Sequence, residues 1–139
     1  MAILVSQVMA SPVISVRPND TLDKINTLLH KNKIHHVIVI DENKLIAGIV
    51  SDRDILSAIS PFLGTSVENK LDRSTLEKTA WQLMKPNPVV AKVNNTIPEA
   101  ASLLIQSNIS CLPIIDMNGF AVGMLSWKDI LKVIARAKS

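Results

Sequence analysis

Two short stretches hold side chains whose types and spacing can do chemistry. One is Gly48-Ile49-Val50-Ser51-Asp52-Arg53-Asp54, and the other, 75 positions later, is Gly123-Met124-Leu125-Ser126-Trp127-Lys128-Asp129. Each runs from an apolar strand to a Ser, then to an Asp three residues on, then into an apolar helix opening Ile-Leu. A helix N-terminus offers unpaired N–H groups and partial positive charge to an anion. A nearby Asp accepts two hydrogen bonds from vicinal hydroxyls, the pattern of a sugar diol. The same Ser-x-x-Asp spacing also makes a capping box, which by itself stabilises a helix by ~0.5–2 kcal/mol and needs no ligand. The two roles are compatible.

Other chemistry has little to stand on. His30, His35 and His36 have no zinc-site spacing, and neighbours on a strand point to opposite faces, so no metal site is expected. Cys111, the single cysteine, reads as a small buried residue. No nucleophile triad, paired-carboxylate signature or phosphate-binding glycine loop is evident, so catalysis is not expected. Lys128, Lys132 and Arg136 share a helix face and read as a solvated row.

The elements that position the motifs are themselves repeated. At the offset of 75, Thr21 meets Thr96, Leu28-Leu29 meets Leu103-Leu104, Ile34 meets Ile109, and Ile40-Asp41 meets Ile115-Asp116. Asn43, Gly48, Ser51 and Asp54-Ile55-Leu56 also recur, giving 12 identities over the 36 ungapped positions from Thr21 to Leu56. Such a register marks a duplication. The repeats span 6–60 and 80–136, joined by 61–79. Each reads β-α-β-β-α. A short extended segment (Val13-Ile14, then Val89-Val90) precedes a helix over 21–32 or from Thr96, where Thr96 and Glu99 form a capping box. An apolar strand follows (His36–Ile40), then a polar turn, a second strand over 45–50, and a helix from the motif Ser. Ser74-Thr75-Leu76-Glu77 is expected to start a short helix running into Met84. The last helix, 127–137, puts Trp127, Ile130, Leu131 and Ile134 on one face.

Composition bounds the rest. The 139 residues are 47% hydrophobic and 19% charged, a globular balance, and only 3% are aromatic, so the core must be aliphatic. No apolar run is long enough to span a bilayer, and the N-terminus does not read as a signal peptide. One cysteine cannot form an internal disulfide, which favours a reducing, cytoplasmic setting. A net charge of +3 is mild. It suits an anionic small ligand and is too small an excess to point to nucleic acid. Each repeat alone is too small to be comfortably stable, so the two are expected to pack as one core with an internal pseudo-twofold, the fold class being mixed α/β or α+β.

The chain resembles a pair of cystathionine-β-synthase (CBS) domains, a Bateman module. The resemblance rests on the duplicated β-α-β-β-α unit, the doubled Gly-x-x-Ser-x-x-Asp motif and Leu112-Pro113-Ile114-Ile115-Asp116. It covers nearly the whole chain, with no catalytic domain attached. It implies regulatory binding of an adenine-containing ligand (AMP, ADP, ATP or S-adenosylmethionine), not a tightly held cofactor, in clefts between the repeats. Asp54 and Ser51 would serve one cleft and Asp129 and Ser126 the other, the Asp on ribose hydroxyls. Arg53 and Lys128 are the candidate phosphate partners. Val13-Ile14 and Val89-Val90 would contact the base. Ser stands where relatives commonly have Thr. His36 and Cys111 stand where a basic residue is common, and Trp127 replaces the Asp52 of the first copy, so the two clefts are not chemically equal. The expected protein is a homodimeric cytoplasmic sensor that reports to a protein target. The alternative is a ligand-free interaction module working through its dimer surface.

Overall fold

The computed structural model describes residues 2–137. Thr21 accepts a hydrogen bond from the Lys24 N–H and caps α1, Leu22–Asn32, which buries Leu22, Ile25 and Leu29 at helix spacing. The short strand β1, Ser15–Val16, lies parallel to β2, His36–Ile40. β2 runs antiparallel to β3, Ile46–Ser51, and its three central residues are buried. β3 leads into α2, Asp52–Ala58.

The segment after α2 corrects an expectation. Instead of one helix running from Ser74 into Met84, the chain forms α3, Lys70–Ser74, then a 3-10 turn, Thr75–Glu77, then α4, Ala80–Leu83. The break has a physical cause. Lys78 and Thr79 are extended because their backbone pairs with residues beside Thr21: the Leu22 N–H donates to Lys78 O (2.8 Å) and the Ala80 N–H to Asp20 O (2.9 Å). A continuous helix would forfeit those bonds. β4, Lys85–Pro86, then pairs with Gly48 and Ile49 on β3 and completes a sheet ordered β1-β2-β3-β4.

The second half repeats this plan. It comprises β5, Ala91–Lys92; α5, Ile97–Ser107; β6, Cys111–Ile115; β7, Ala121–Ser126; and α6, Trp127–Ala137. α5 carries the expected Thr96–Glu99 capping box, with proline in its first turn. Only Ile130 of the expected α6 row is buried; Trp127, Leu131 and Ile134 are about half exposed.

Two compact units result, and they do not coincide with the repeats in the chain. The first is Ile14–Asn87; the second is Met1–Val13 with Pro88–Ser139. The opening segment of repeat two thus completes the first unit, and the opening segment of repeat one completes the second. There the Val5 N–H donates to Asn95 O, the Ile97 N–H to Ile3 O, and Ala10 exchanges both backbone bonds with Met124 (2.8 and 3.1 Å). These match, at the same offset of 75, the bonds that Lys78–Ala80 make in the first unit and the Ile49–Lys85 pair.

The cores match position for position. The first holds Val16, Leu22, Ile25, Leu29, Val37, Val39, Val50, Ile55 and Ala80. The second holds Ala91, Ile97, Ala100, Leu104, Leu112, Ile114, Leu125, Ile130 and Val5. Where the second loses volume, at Ala91 and Ala100, it regains it at Leu112, Ile114, Leu125 and Val5, and conserved total volume is what a packed core tolerates.

Each lead segment lies close against a glycine. A Cβ on Gly48 would sit 2.6 Å from Met84 Sδ and 2.9 Å from Lys85 O; on Gly123, 2.5 Å from Met9 Sδ and 3.0 Å from Ala10 O. The methionine can move, but the paired backbone oxygen cannot without breaking the sheet edge. Gly48→Ala and Gly123→Ala should each lower stability by about 1–3 kcal/mol in urea denaturation. Unchanged midpoints would refute this close approach.

Candidate functional site

The site grows from the junction of strand and helix. Ser51 ends β3 and caps α2: its Oγ accepts from the Asp54 N–H (3.1 Å), and Asp54 Oδ2 accepts from the Ser51 N–H (2.8 Å). In the second unit Asp129 Oδ2 accepts from the Ser126 N–H (2.9 Å) and from its hydroxyl (3.1 Å), while the Asp129 N–H reaches Ser126 Oγ at 3.4 Å. Both motifs therefore do form capping boxes. In each, one carboxylate oxygen is occupied by the cap. The other, Asp54 Oδ1, lies 3.8 Å from Lys85 Nζ; Asp129 Oδ1 takes no part in the capping bonds.

The expectation that the helix ends offer several free N–H groups needs correction. The Asp52 N–H already donates to His35 O (2.9 Å) and the Trp127 N–H to Ser110 O (3.1 Å), while the third N–H of each turn goes to the cap. The hairpin partner strand begins beside the helix start, so its last free carbonyl takes the first helical N–H. Any anion here must rely mainly on side chains.

The strand register sets which side chains those are. His36 lies opposite Ser51, and Cys111 opposite Ser126. His36 is half-buried, and burial pushes its imidazole below the ordinary value, against the upward pull of Asp52 and Asp54; His35 and Lys85 push it further down. Cys111 is buried, and its thiol is pushed up to about 12, by burial first and then by the Asp129 charge. Arg53 and Lys128 are exposed on the first turns of α2 and α6. Ile14 leads into β1 in the unit of Asp54, and its carbonyl accepts from the Ile38 N–H at 3.5 Å. Val13 ends the segment that belongs to the unit of Asp129, and Val89 and Val90 lead into β5 in that same unit.

Lys85, near Asp54, escaped the sequence reading, and so did the pairing of His35 with Asp52. His35 Nδ1 lies 2.7 Å from Asp52 Oδ2, an exposed pair. Burial alone would raise the Asp52 carboxyl, but the His35 hydrogen bond and the Arg53 backbone bond outweigh it and hold it below the usual range. Lys85 arrives on β4 from the lead segment of the other repeat. Comparison at the offset of 75 carries the signal: the counterparts are Ser110, Trp127 and Ala10, so all three positions differ between copies.

With this geometry in view, comparison with known proteins is direct. The family model for the CBS domain matches twice, over residues 5–61 and 80–136. The chain belongs to the CBS-domain family. A CBS domain-containing protein of Dictyostelium discoideum is 34% identical over 137 residues, covering 98% of this chain and 94% of that protein. A homoserine O-acetyltransferase of Methanococcus vannielii is 30% identical over 132 residues, but the chain spans only 25% of its length. Among solved structures, that of CBSX2 in complex with AMP has a TM-score of 0.79 at 28% identity, covering 98% of both chains. CBS pairs thus occur both as nearly whole proteins and as parts of longer ones.

The buried CBS cysteine gives a direct test. The free thiol loses its proton near 9.0 and the folded one near 12. At pH 8 that leaves roughly a thousandfold less thiolate in the folded protein. Cys111 should therefore react with a thiol reagent at least about a hundredfold more slowly in native than in unfolded protein. Because the folded pKa is raised, its contribution to stability is whole below the unfolded value and is lost as pH rises above 9. Fast native labelling at pH 8 would contradict the burial.

Proposed function

We propose that this CBS pair is a regulatory sensor that binds an adenine-containing ligand at the Ser-x-x-Asp end of each unit. AMP, ADP, ATP and S-adenosylmethionine are the candidate ligands. One observation carries the reading: Asp54 and Asp129 are each pinned by the cap through Oδ2, so the carboxylate is held still before any ligand arrives. A pre-positioned acceptor loses little entropy on taking hydroxyl hydrogen bonds. The 28% identical CBSX2 carries AMP in its solved structure, which supports the same ligand class here. Ser51 and Ser126 position the carboxylates. Arg53 and Lys128 supply charge, and Ile14 and Val90, with Val13 and Val89, supply apolar contact to the base. The reading includes action in the cytoplasm on a protein target. Among the described residues no helix is long and apolar enough to cross a membrane.

A ligand can switch such a module only by preferring one of its states. The exposed row Trp127, Leu131 and Ile134, spaced along one side of α6, supports the further reading that two copies associate through this helix. On that reading the wild type sediments as a dimer and Ile134→Glu shifts it to monomer without lowering its helix content. A monomeric wild type at high micromolar concentration would remove the dimer from the proposal.

Calorimetric titration with AMP, and a GTP control, tests the ligand reading. Asn at position 54 or 129 keeps an oxygen for the cap but loses the charge, so it separates binding from capping. Asp54→Asn and Asp129→Asn should each weaken adenine-ligand binding at their own site by at least about tenfold, the scale of a charged hydrogen bond. At about 100 times its dissociation constant the ligand should add ~2.7 kcal/mol to stability. Absence of adenine-selective heat from folded protein would move the conclusion to a ligand-free interaction module.

A further inference from the structure

The two units share a core, a register and a capping box, but the polar groups around the two carboxylates differ. Asp54 has Lys85 at 3.8 Å, and on the same strand end stand His35 and His36, with Asp52 bonded to His35 at 2.7 Å. Asp129 has Ala10, Ser110, Cys111 and Trp127 at those positions. Only the Arg53/Lys128 pair is common in charge.

We propose that the first unit is the phosphate-selective end of this protein: Lys85, with His35 and His36, holds the phosphate of a ligand whose hydroxyls Asp54 takes, while the second unit has no such preference. The inference rests on the adenine-ligand reading above and adds to it which site reads phosphate and by which residues.

The charges argue it. Facing His36 are Asp52 and Asp54 from α2, the neighbouring His35 just before β2 and Lys85 from β4. Two carboxylates stand against two fixed cations, Arg53 and Lys85, with His36 neutral at pH 7 because burial lowers its imidazole. A phosphate entering this set brings more negative charge than the fixed cations balance. The deficit is met when an imidazole takes a proton, so binding there is coupled to proton uptake and tightens as pH falls. Lys85 is 74% exposed and its ion pair with Asp54 is long, so it can turn to a phosphate without breaking a buried contact. The His35–Asp52 pair is itself exposed, and solvent screening makes it a weak source of stability. Around Asp129 no imidazole is available, and Cys111 titrates only near 12.

The test titrates the full chain with AMP and with adenosine between pH 6 and 8, in two buffers of different ionisation heat, so that protons taken up are counted. Asp129→Asn isolates the first site and Asp54→Asn the second. In the first, AMP should bind at least about tenfold tighter than adenosine, the scale of one charged contact, with net proton uptake. In the second, the two ligands should bind within about threefold of each other, because Lys128, the cation there, is exposed and its attraction is screened by solvent. Uptake is read toward pH 8, where a phosphate with its second ionisation near pH 6 binds already fully charged and only the protein can take up protons. Lys85→Ala, which alters an exposed residue, should remove most of the AMP preference, and His35→Gln with His36→Gln should remove the uptake. Equal preference at both sites, or a preference untouched by Lys85→Ala, overturns the inference and leaves the ligand reading standing. No heat from either ligand, with folding confirmed by melting, defeats both.

Discussion

Each sheet in this protein is closed by the opening segment of the other repeat. Met84-Lys85 lies against Gly48, and Met9-Ala10 against Gly123, in the same antiparallel register. The same crossing supplies one core residue to each unit, Ala80 to the first and Val5 to the second. An isolated repeat would therefore expose a strand edge and leave a gap in its core, and both faults are costly. The duplication is thus more than two copies of a small domain. Neither copy is whole without the opening segment of the other one. The exchange also explains why α4 is a single turn: residues 78–80 are committed to backbone pairing beside Thr21 and cannot extend a helix.

The closing segment bears on chemistry because it ends at the site. Lys85 reaches Asp54 only because β4 pairs with β3. The Asp itself has a divided role. Its Oδ2 completes the cap, and that bond fixes the orientation of the carboxylate. Stability and recognition therefore do not compete for the residue; the cap pre-positions the acceptor. The same argument holds for Asp129, where the Ser126 hydroxyl adds a second bond to Oδ2.

Much of this was legible in the residues. The offset of 75 located both repeats, the Thr caps set the starts of α1 and α5, and the β-branched run His36–Ile40 became a central strand with a buried middle. The family resemblance and the capping boxes also held. Local pattern did not reveal what depends on distant pairing. Periodicity at Leu76, Ala80 and Leu83 suggested one helix, and long-range backbone bonds overrode it. The α6 row was helix-spaced, but spacing identifies a face without saying what covers it, and only Ile130 enters the core. Lys85 and the pairing of His35 with Asp52 went unread because no motif joins these three residues. They lie just before β2, on α2 and on β4, and meet only once the sheet is built.

The pattern of differences between the copies is itself informative. In the cores, differences compensate: small residues at Ala91 and Ala100 are offset by larger ones elsewhere in the same cluster. Around the carboxylates they do not. Lys85, His35 and Asp52 correspond to Ala10, Ser110 and Trp127, three uncharged residues. Packing constrains a sum of volumes, so a change at one position forces a change at another. Exposed charges carry no such constraint, since solvent screens them. The cores therefore had to stay alike while the ends of α2 and α6 were free to diverge. A fold built twice from one plan can in this way keep a single architecture and present two chemically different surfaces to its ligands.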